Sequence, residues 1–420
     1  MKIKHPLWRT LRSLKGNQRA CVITEPLWAI PNNLFIPFAS IYMAALGLQD
    51  VEIGIVMSIG LAMQFITTLA SGAIVDKYGR RKTMLIFGLI SWSLPCMLWA
   101  GAQGYWYFLL AIALNGFWRI TGNSFSCMIV ENGDMDKLVN IYTILNLFGM
   151  LAGFISPLVG LCIDRFTLVP TMRIIYLISL VLMTVKFVLQ YRLVNESEVG
   201  KQRMEECKST SLLTLTFGGW GVFVNELRHS GLLLYVLLMT LITCFNITQA
   251  TFWPLFVTNS YGVSASMIAV FPFIKAVTTM AVYLFITSRI SINSIRRPLL
   301  MALGTHFIGL CVLILCMPFA RTAIAAVFFS AICESAALAV LGPLCESIMS
   351  HAIPGKERAR VNSLITAMIL LISIPIGAIA GQLSQHNRML PLVMNICLLI
   401  VEMLVVIIIT YRNRSNQRSI

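Results

Sequence analysis

Twelve long apolar runs dominate this sequence, and each is long enough to cross a lipid bilayer as a helix. A helix needs about 20 apolar residues to span the hydrocarbon core. Only helices and closed barrels satisfy every backbone polar group there, and the chain has no alternating β pattern. Only 12% of the residues are charged, against about 25% in soluble domains. We therefore predict an all-α membrane protein with twelve transmembrane helices.

A polar stretch divides the apolar runs into six and six. Helices 1 to 6 are predicted at 22–46, 50–75, 83–102, 105–130, 137–163 and 171–191, and helices 7 to 12 at 230–258, 263–288, 297–318, 322–350, 359–384 and 389–411. The predicted domains are a basic amphipathic segment on the inner leaflet (1–21), a first six-helix bundle (22–191), a cytoplasmic linker (192–229), a second bundle (230–411) and a basic tail (412–420).

The basic residues are distributed unevenly between the loops. The net charge is +15, and most lysines and arginines fall in the N-terminal segment, the loop after helix 2, the linker and the tail. This bias follows the positive-inside rule and places both termini in the cytoplasm. It explains the charge without a nucleic-acid partner and predicts contact with membrane lipids. The eleven cysteines form no zinc-type spacing, so we predict neither a metal nor a cofactor.

Features of the first half recur in the second half at a nearly constant offset. The recurring pairs are Phe35/Pro37 with Phe252/Pro254, Arg80/Arg81 with Arg296/Arg297, and Arg119/Glu131 with Glu334/Glu346. Internal repeats of this kind are common in membrane transporters, whose halves are related by pseudo-symmetry. We therefore predict two pseudo-symmetric six-helix bundles.

The turn between helices 2 and 3 carries a recognisable motif. Its defining residues are Gly72, Asp76, Lys77, Gly79, Arg80, Arg81 and Lys82. They fill every position of G-x-x-x-D-[RK]-x-G-[RK]-[RK]-[RK], and the chain thereby resembles the major facilitator superfamily of transporters. We call these residues the signature turn.

The resemblance implies alternating access, with a substrate site between the bundles near mid-membrane. It implies that helices 1, 4, 7 and 10 line the cavity. It also implies that Asp76 lies near the start of helix 11 and that Arg80 reaches Glu131 at the inner end of helix 4. These charges would join the halves in the outward-facing state and separate in the inward-facing state. A purely topological role for the charges stays open.

Several ionisable residues lie deep within the predicted helices. Lys275, Glu334 and Glu402 fall near mid-helix and Arg119 slightly past it. Each would cost at least about 2.5–3.5 kcal/mol if it faced lipid unpaired. Lys275 is the simplest partner for Glu334, and a structural role stays open for every one of these residues. By resemblance, Arg119 and Glu334 face the substrate site, and Arg119 is similar to the helix 4 arginine of drug/proton antiporters.

Polar and aromatic residues on the cavity helices complete the candidate site. Glu25 begins helix 1 and is either a titrating carboxylate or a solvated group at the inner interface. On helix 4, Asn115, Arg119, Gly122 and Ser126 share one face. The predicted substrate or coupling cavity comprises Glu25, Trp28, Asn32, Asn115, Arg119, Asn146, Asn246, Gln249, Trp253, Lys275 and Glu334.

Helix 5 carries small residues at helical spacing. The predicted packing seam consists of Gly149, Gly153, Ser156, Pro157 and Gly160. Small residues allow membrane helices to approach closely. The seam resembles the G-x-x-x-G-P-x-x-G motif of superfamily antiporters, although plain tight packing remains an alternative.

These features together predict a transporter. The chain has neither a P-loop nor an H-E-x-x-H motif, so we predict no enzyme activity and no ATP-driven pumping. We expect a monomeric secondary transporter of the bacterial cytoplasmic membrane that exports amphipathic or drug-like small molecules against a proton gradient. The alternatives are proton-coupled uptake of a small polar solute, and a lipid flippase or non-transporting sensor. Substrate, direction and coupling ion are not specified by the sequence.

Overall fold

A computed structural model describes residues 6–131, 137–217, 233–286, 296–319, 324–352 and 358–418. Regular secondary structure in these ranges is entirely helical. Ten of the helices are long and apolar enough to cross a membrane. The stretches predicted as helices 1 and 4 are also helical, but each is divided into shorter pieces. The predicted all-α membrane fold is therefore confirmed, and the cytoplasmic location of both termini stays a prediction.

Helices 2, 3, 5 and 6 have simple courses. Helix 2 is Asp50–Tyr78, helix 3 is Arg80–Gly88 continued through a π-helical turn at Leu89–Ser93 into Leu94–Ala100, helix 5 is Leu138–Phe166, and helix 6 is Leu168–Leu193. Between helices 2 and 3, Gly79 has φ +85°. Glycine adopts this left-handed conformation at little cost, which explains the glycine at that point of the signature turn.

Helix 1 is broken by prolines. It runs as Gly16–Thr24, Pro26–Phe35 and Ala39–Ala45, with a 3-10 turn at Ile36–Phe38. Proline lacks the N–H that a helix needs at an interior position, and Pro26, Pro31 and Pro37 occur in this stretch. Glu25 therefore lies at the junction between the first two pieces.

Helix 4 is also discontinuous, which corrects the prediction of one helix over 105–130. It runs as Tyr105–Asn115 and Trp118–Val130. At the break, the carbonyl oxygen of Gly116 accepts a hydrogen bond of 2.7 Å from the Thr67 hydroxyl on helix 2. A Cβ at Gly116 would lie 2.5 Å from the Cβ of Met63. The two helices therefore meet where helix 4 breaks, and Asn115 does not share one continuous helical face with Arg119.

The second set of six helices follows the predicted order. Helix 7 is Leu233–Ser260, helix 8 is Ala265–Ile268 followed by Val270–Phe285, helix 9 is Arg296–Leu315, helix 10 is Ile324–Ala352, helix 11 is Arg358–His386, and helix 12 is Leu390–Arg418. The side chains of Arg296 and Glu346, which belong to the predicted repeats, are not described.

The N-terminal segment packs against helices of the first half of the chain, and its position on the inner leaflet stays a prediction. It contains a helix at Pro6–Ser13. Leu14 is buried in an apolar cluster with Met84, Met128 and Ile144, against which Leu7 and Leu11 also pack. The apolar face is therefore turned towards helices 3, 4 and 5. Residues 1–5 lie outside the described ranges.

The linker is partly helical. It contains Glu198–Glu206 and Leu212–Phe217. The predicted linker lies outside the described ranges from residue 218 onward. Residues 419–420 of the predicted tail lie outside them as well.

The chain divides into two compact units by its internal packing. The first comprises Met1–Ile36, Ile59–Ile155 and Val169–Trp220, and the second comprises Pro37–Ser58, Ser156–Leu168 and Gly221–Ile420. Parts of helices 1, 2 and 5 thus belong to the second unit. The division into two sequential bundles at 22–191 and 230–411 stays a prediction.

Candidate functional site

A chain of polar side chains joins helices 7, 8, 10 and 12 within the second unit. Lys275 Nζ lies 2.6 Å from Glu334 Oε1. The other carboxylate oxygen, Oε2, accepts a hydrogen bond of 3.2 Å from Gln249 Nε2. Gln249 Oε1 accepts one of 3.1 Å from Asn395 Nδ2. A single carboxylate thus connects an ammonium group to two amides.

The two ends of this chain differ in exposure. The Glu334 side chain is 6% exposed, whereas that of Lys275 is 36% exposed. Lys275 Nζ also lies 5.5 Å from the centroid of the Trp253 ring, one turn beyond Gln249 on helix 7. Trp253 packs edge-on against Phe271 with centroids 4.9 Å apart. The lysine end of this chain is therefore the more accessible one.

The sequence prediction and the structure differ for two asparagines, Asn246 and Asn395. Asn246 is exposed and joins none of these hydrogen bonds in the described ranges. Asn395 was not predicted, and it is fully buried. It is the only asparagine in the apolar part of helix 12, residues 390–411, so it belongs to no pattern, although a buried amide in an apolar helix usually needs a partner.

A second buried ion pair lies in the first unit. Glu25 Oε2 is 3.2 Å from Lys186 Nζ, and the side chains are 9% and 5% exposed. The ammonium group faces three aromatic rings, those of Phe187, Phe125 and Trp28, at 4.7, 5.1 and 5.5 Å from their centroids. Glu25 is therefore buried, and the alternative of a solvated carboxylate at the interface is wrong. Nothing in the sequence marks Lys186 as its partner.

Helix 6 adds an amide beside this pair. Gln190 lies one turn after Lys186 and is fully buried. Neither its Nε2 nor its Oε1 has a hydrogen-bond partner among the described residues. The pair is thus surrounded by rings and an unsatisfied amide, in contrast to the bonded amides around Glu334.

Arg119 binds neutral partners. Its Nε and Nη2 donate hydrogen bonds of 3.2 and 3.1 Å to Gln64 Oε1, and its guanidinium lies 4.2 Å from the ring centroid of Trp118. No carboxylate forms an ion pair with Arg119 in the described ranges. Asn115 uses its amide to bond the Ser91 carbonyl oxygen at 2.8 Å.

The remaining predicted cavity residues occupy varied positions. Trp28 packs edge-on against Trp92 with centroids 5.0 Å apart, and Asn32 is buried. Asn146 on helix 5 is exposed. The structure therefore brings together Gln249, Trp253, Lys275 and Glu334 in one unit, but joins Asn146 to none of these contacts.

The helix 5 seam contains one very close approach. A Cβ at Gly160 would lie 2.6 Å from the Ser266 carbonyl oxygen at the start of helix 8. Ser156 is fully buried and Gly153 is also buried. Pro157 is partly buried, and a Cβ at Gly149 would meet Asn33 Nδ2 at an ordinary 3.4 Å. Close packing is thus strongest at the Gly160 end.

Helix 2 meets helix 11 at the end that begins with Asp50. A Cβ on Gly54 would overlap the carbonyl oxygen of Gly377 and lie 2.8 Å from the Cα of Gly381. The Ser58 hydroxyl accepts a hydrogen bond of 2.9 Å from the Ala378 N–H. We call this glycine-lined region, together with the two ion-pair partners described next, the outer-end contact, since the sequence predicts this end to face away from the cytoplasm.

An ion pair completes the outer-end contact. Asp50 Oδ2 lies 3.1 Å from Arg388 Nε and accepts a hydrogen bond of 2.6 Å from the Ser384 hydroxyl. Asp50 is 4% exposed. The pair is not predictable from the sequence, because Asp50 and Arg388 stand at helix ends where charges are ordinarily solvated.

In the signature turn, Arg80 is the central residue. It is 3% exposed, and its Nη2 lies 3.0 Å from Asp76 Oδ1 and 3.1 Å from Glu131 Oε1. The contact between Arg80 and Glu131 that the resemblance implied is therefore present. Both partners belong to the first unit.

The other signature residues lie around it. Lys77 Nζ donates a hydrogen bond of 2.6 Å to the Thr210 carbonyl oxygen, and Arg81 Nε donates one of 2.8 Å to the Tyr191 carbonyl oxygen. Lys82 is exposed, and a Cβ at Gly72 would meet nothing within 4 Å. The linker therefore contacts the turn directly, which the sequence did not predict.

Comparison with known proteins identifies the family. The Major Facilitator Superfamily model matches residues 28–378. The uncharacterized MFS-type transporter YqjV of Bacillus subtilis (strain 168) is 32% identical over 85 residues, and that match spans 20% of this chain and 20% of the relative.

Solved structures support the fold. PepTSo, a POT family transporter, gives a TM-score of 0.71 at 11% identity, covering 96% of this chain and 98% of that one. The nucleoside transporter NupG gives 0.67 at 14%, covering 94% and 98%. A bacterial homologue of the human lysosomal transporter Spinster gives 0.66 at 12%, covering 94% and 96%. At such identities the likeness concerns the fold alone. This chain belongs to the Major Facilitator Superfamily, and it is a multi-pass membrane transporter for small molecules rather than an enzyme.

Proposed function

We propose that this protein is a proton-coupled secondary transporter that works by alternating access and exports amphipathic small molecules. The observation that carries the proposal is the Lys275–Glu334 ion pair with its attached amides. It combines a buried carboxylate with a lysine whose side chain is 36% exposed. Such a pair can change state when either a proton or a substrate arrives.

Protonation of Glu334 removes the charge that holds Lys275. The ammonium group then loses its 2.6 Å contact, while Gln249 keeps its second hydrogen bond to Asn395. The free energy of burying an ion pair depends on both partners being charged. Proton binding at Glu334 therefore changes the net charge of the pair from zero to positive, so that Lys275 faces a substrate without its counter-ion. Such a link between proton binding and substrate binding is what coupling requires.

Aromatic surfaces support an amphipathic substrate. Trp253 packs beside Lys275, and neither its indole N–H nor that of Trp28 has a hydrogen-bond partner among the described residues. Tryptophan offers a ring face for stacking and an N–H for one polar contact. The direction of export rests on the antiporter-like seam of helix 5, with its close approach at Gly160.

The second candidate is proton-coupled uptake of a small polar solute. The Gln249–Asn395 amide pair favours it, because amides bond neutral polar groups through both donors and acceptors. The structural neighbours include nucleoside and peptide transporters. At this low sequence identity, the similarity supports a shared fold but gives no information about the substrate.

The test is proton movement in proteoliposomes that contain the full chain and a trapped pH dye. Ethidium, uridine and dialanine serve as a cationic amphipathic, a nucleoside and a peptide probe. Export by antiport predicts proton release from acid-loaded vesicles when ethidium is added, and its loss in Glu334→Gln. Proton entry together with uridine or dialanine would establish uptake instead.

One control variant locates the coupling site. Glu402 is a buried carboxyl on helix 12 whose Oε1 has no hydrogen-bond partner in the described ranges, so Glu402→Gln is the matched membrane carboxyl. Loss of the proton signal in Glu402→Gln, with the signal intact in Glu334→Gln, would overturn the assignment.

Movement of a labelled phospholipid without a response to any solute would indicate a flippase, and ligand binding without flux would indicate a sensor.

A further inference from the structure

The polar linker makes a contact with the signature turn that the transport chemistry above does not use. The Glu196 carboxylate accepts hydrogen bonds from two backbone N–H groups at the start of helix 3, those of Arg80 at 2.8 Å and Arg81 at 2.9 Å. A helix N-terminus has unsatisfied N–H groups and a positive dipole end. One linker carboxylate therefore caps the helix that begins in the signature turn.

The next linker residue reaches the acid that binds Arg80. Ser197 donates its hydroxyl hydrogen to a carboxylate oxygen of Glu131, and Ser197 is fully buried. The same hydroxyl oxygen accepts a hydrogen bond of 2.9 Å from the Gly200 N–H, capping the linker helix Glu198–Glu206. Glu131 is thus shared between Arg80 and the linker.

The linker and the signature turn pack closely against each other at two glycines. A Cβ at Gly79 would lie 2.7 Å from Met204 Sδ, and one at Gly200 would lie 3.0 Å from Arg80 Cδ. Arg81 also stacks on Tyr191, its guanidinium 4.3 Å from the ring centroid. The linker therefore docks on the turn through glycines and buried bonds, not as a solvated charge run.

We propose that Glu196 and Ser197 are positioning residues of the conformational switch, acting through Arg80 and Glu131. We call their contact with the signature turn the linker latch. It orients the first turn of helix 3 and fixes Glu131, and so sets how readily the signature turn changes partners. The inference rests on the alternating access of the proposed function.

Helix 2 is the route by which the latch acts at a distance. It carries the signature turn at its Tyr78 end and the outer-end contact at its Asp50 end. Both sets of contacts are made in the same structure. If the latch is specific to this state, its removal lowers the population of the state and exposes the outer-end contact more often.

Hydrogen–deuterium exchange of the full chain in lipid nanodiscs, without substrate, tests the inference. The variants are Glu196→Gln, which keeps the size of the side chain, and Ser197→Ala. The matched control is Glu198→Gln, because Glu198 is an exposed linker acid that bonds Lys201 and not the turn. Melting temperatures show whether each variant is folded.

We expect faster exchange at two places, the signature turn that follows helix 2 and the outer-end contact at the beginning of helix 2. Peptides covering 79–84 report the latch itself, and peptides covering 50–61 and 376–390 report the outer-end contact. In Glu196→Gln the exchange at the outer end should rise about tenfold, as for one charge-assisted hydrogen bond lost, with a smaller rise in Ser197→Ala and none in Glu198→Gln.

Faster exchange at 79–84 alone, with outer-end peptides unchanged in both variants, would overturn the inference and leave the latch a local structural contact. The measurement needs no flux. A failure of proton coupling would therefore leave the latch result standing, and a failure of the latch would leave proton coupling untouched.

Discussion

The two buried lysine–glutamate pairs of this transporter differ in what surrounds them. Lys186 and Glu25 in the first unit are both nearly inaccessible, and the ammonium group faces three aromatic rings. In the second unit, Glu334 is equally buried but Lys275 is 36% exposed. Glu334 also has an amide partner, whereas the amide next to Lys186 bonds to nothing in the described ranges.

The difference teaches that burial alone does not identify a coupling site. A sealed pair must stay charged or neutral as a unit, because neither partner can exchange its contacts for water or substrate. A pair with one accessible partner and a bonded amide can change its protonation and keep its remaining contacts. We infer a structural role for Glu25 and Lys186 and a coupling role for Lys275 and Glu334.

Removal of Lys186, the lysine of the sealed pair in the first unit, should have the largest effect on stability. Lys186→Met leaves the Glu25 carboxylate buried without a cation, and breaking a buried pair in this way costs about 3–5 kcal/mol of the free energy of unfolding. The apparent melting temperature in detergent should fall sharply. The double variant Glu25→Gln/Lys186→Met should recover most of the loss. Glu334→Gln leaves only Lys275, which is 36% exposed, without its partner, and should lower the melting temperature much less. An equal loss in Glu334→Gln would remove the distinction.

The second effect concerns transport. Glu334→Gln should reduce proton-linked flux by tenfold or more, about 1.4 kcal/mol or more in the transport barrier, with little change in melting temperature. Glu25→Gln should leave the flux within a factor of two or three of the wild type, about 0.4–0.7 kcal/mol. Flux in proteoliposomes at matched protein levels measures both. A larger flux loss in Glu25→Gln would move the coupling site to the first unit.

Substitutions of Gln190 and Gln249 should have smaller effects on the free energy of unfolding, and they test the same comparison. Gln190→Leu removes a buried amide that bonds to nothing in the described ranges, so it should be neutral or raise the free energy of unfolding by about 1 kcal/mol. Gln249→Leu breaks bonds to Glu334 and Asn395 and should lower it by about 1–3 kcal/mol. Thermal shift assays separate the two. Destabilisation by Gln190→Leu would show that its amide has an unseen partner such as water.

The smallest expected effect concerns the rings beside each lysine. A cation–π contact contributes about 0.5–1 kcal/mol at exposed sites. Trp253→Leu should change KM for aromatic solutes by about two- to fivefold and should also lower the melting temperature, because Trp253 is buried. Phe125→Leu should lower the melting temperature and leave KM unchanged. The opposite assignment of effects would mean that the sealed pair contacts substrate.

Much of this organisation was predictable from the sequence. The apolar runs predict the helices because the bilayer leaves few alternatives. The signature turn identified Arg80 and Glu131, and the depth of Lys275 and Glu334 identified each as the other's partner. These inferences succeed because the cost of an unpaired charge in lipid leaves one simple solution.

The misses have physical reasons of their own. Glu25 follows a short polar region and precedes Pro26, so it resembles an interfacial residue until the tertiary fold buries it against helix 6. Asn395 is a single amide without periodicity. Glu196 and Ser197 lie in a charge-rich linker, where most side chains are solvated, and only the docking of Glu198–Glu206 on the signature turn gives them partners.

The sealed pair also has a consequence for how the protein is made. Glu25 leaves the ribosome about 160 residues before Lys186, a delay of roughly 8–30 seconds at usual synthesis rates. Until helix 6 arrives, the buried carboxylate has no cation, and an unpaired charge in the hydrocarbon is costly. Helix 1 must therefore wait in a wet or protein-lined place, or carry its carboxyl protonated. The pairing that stabilises the finished transporter thus delays the final placement of its first helix until the sixth has been made.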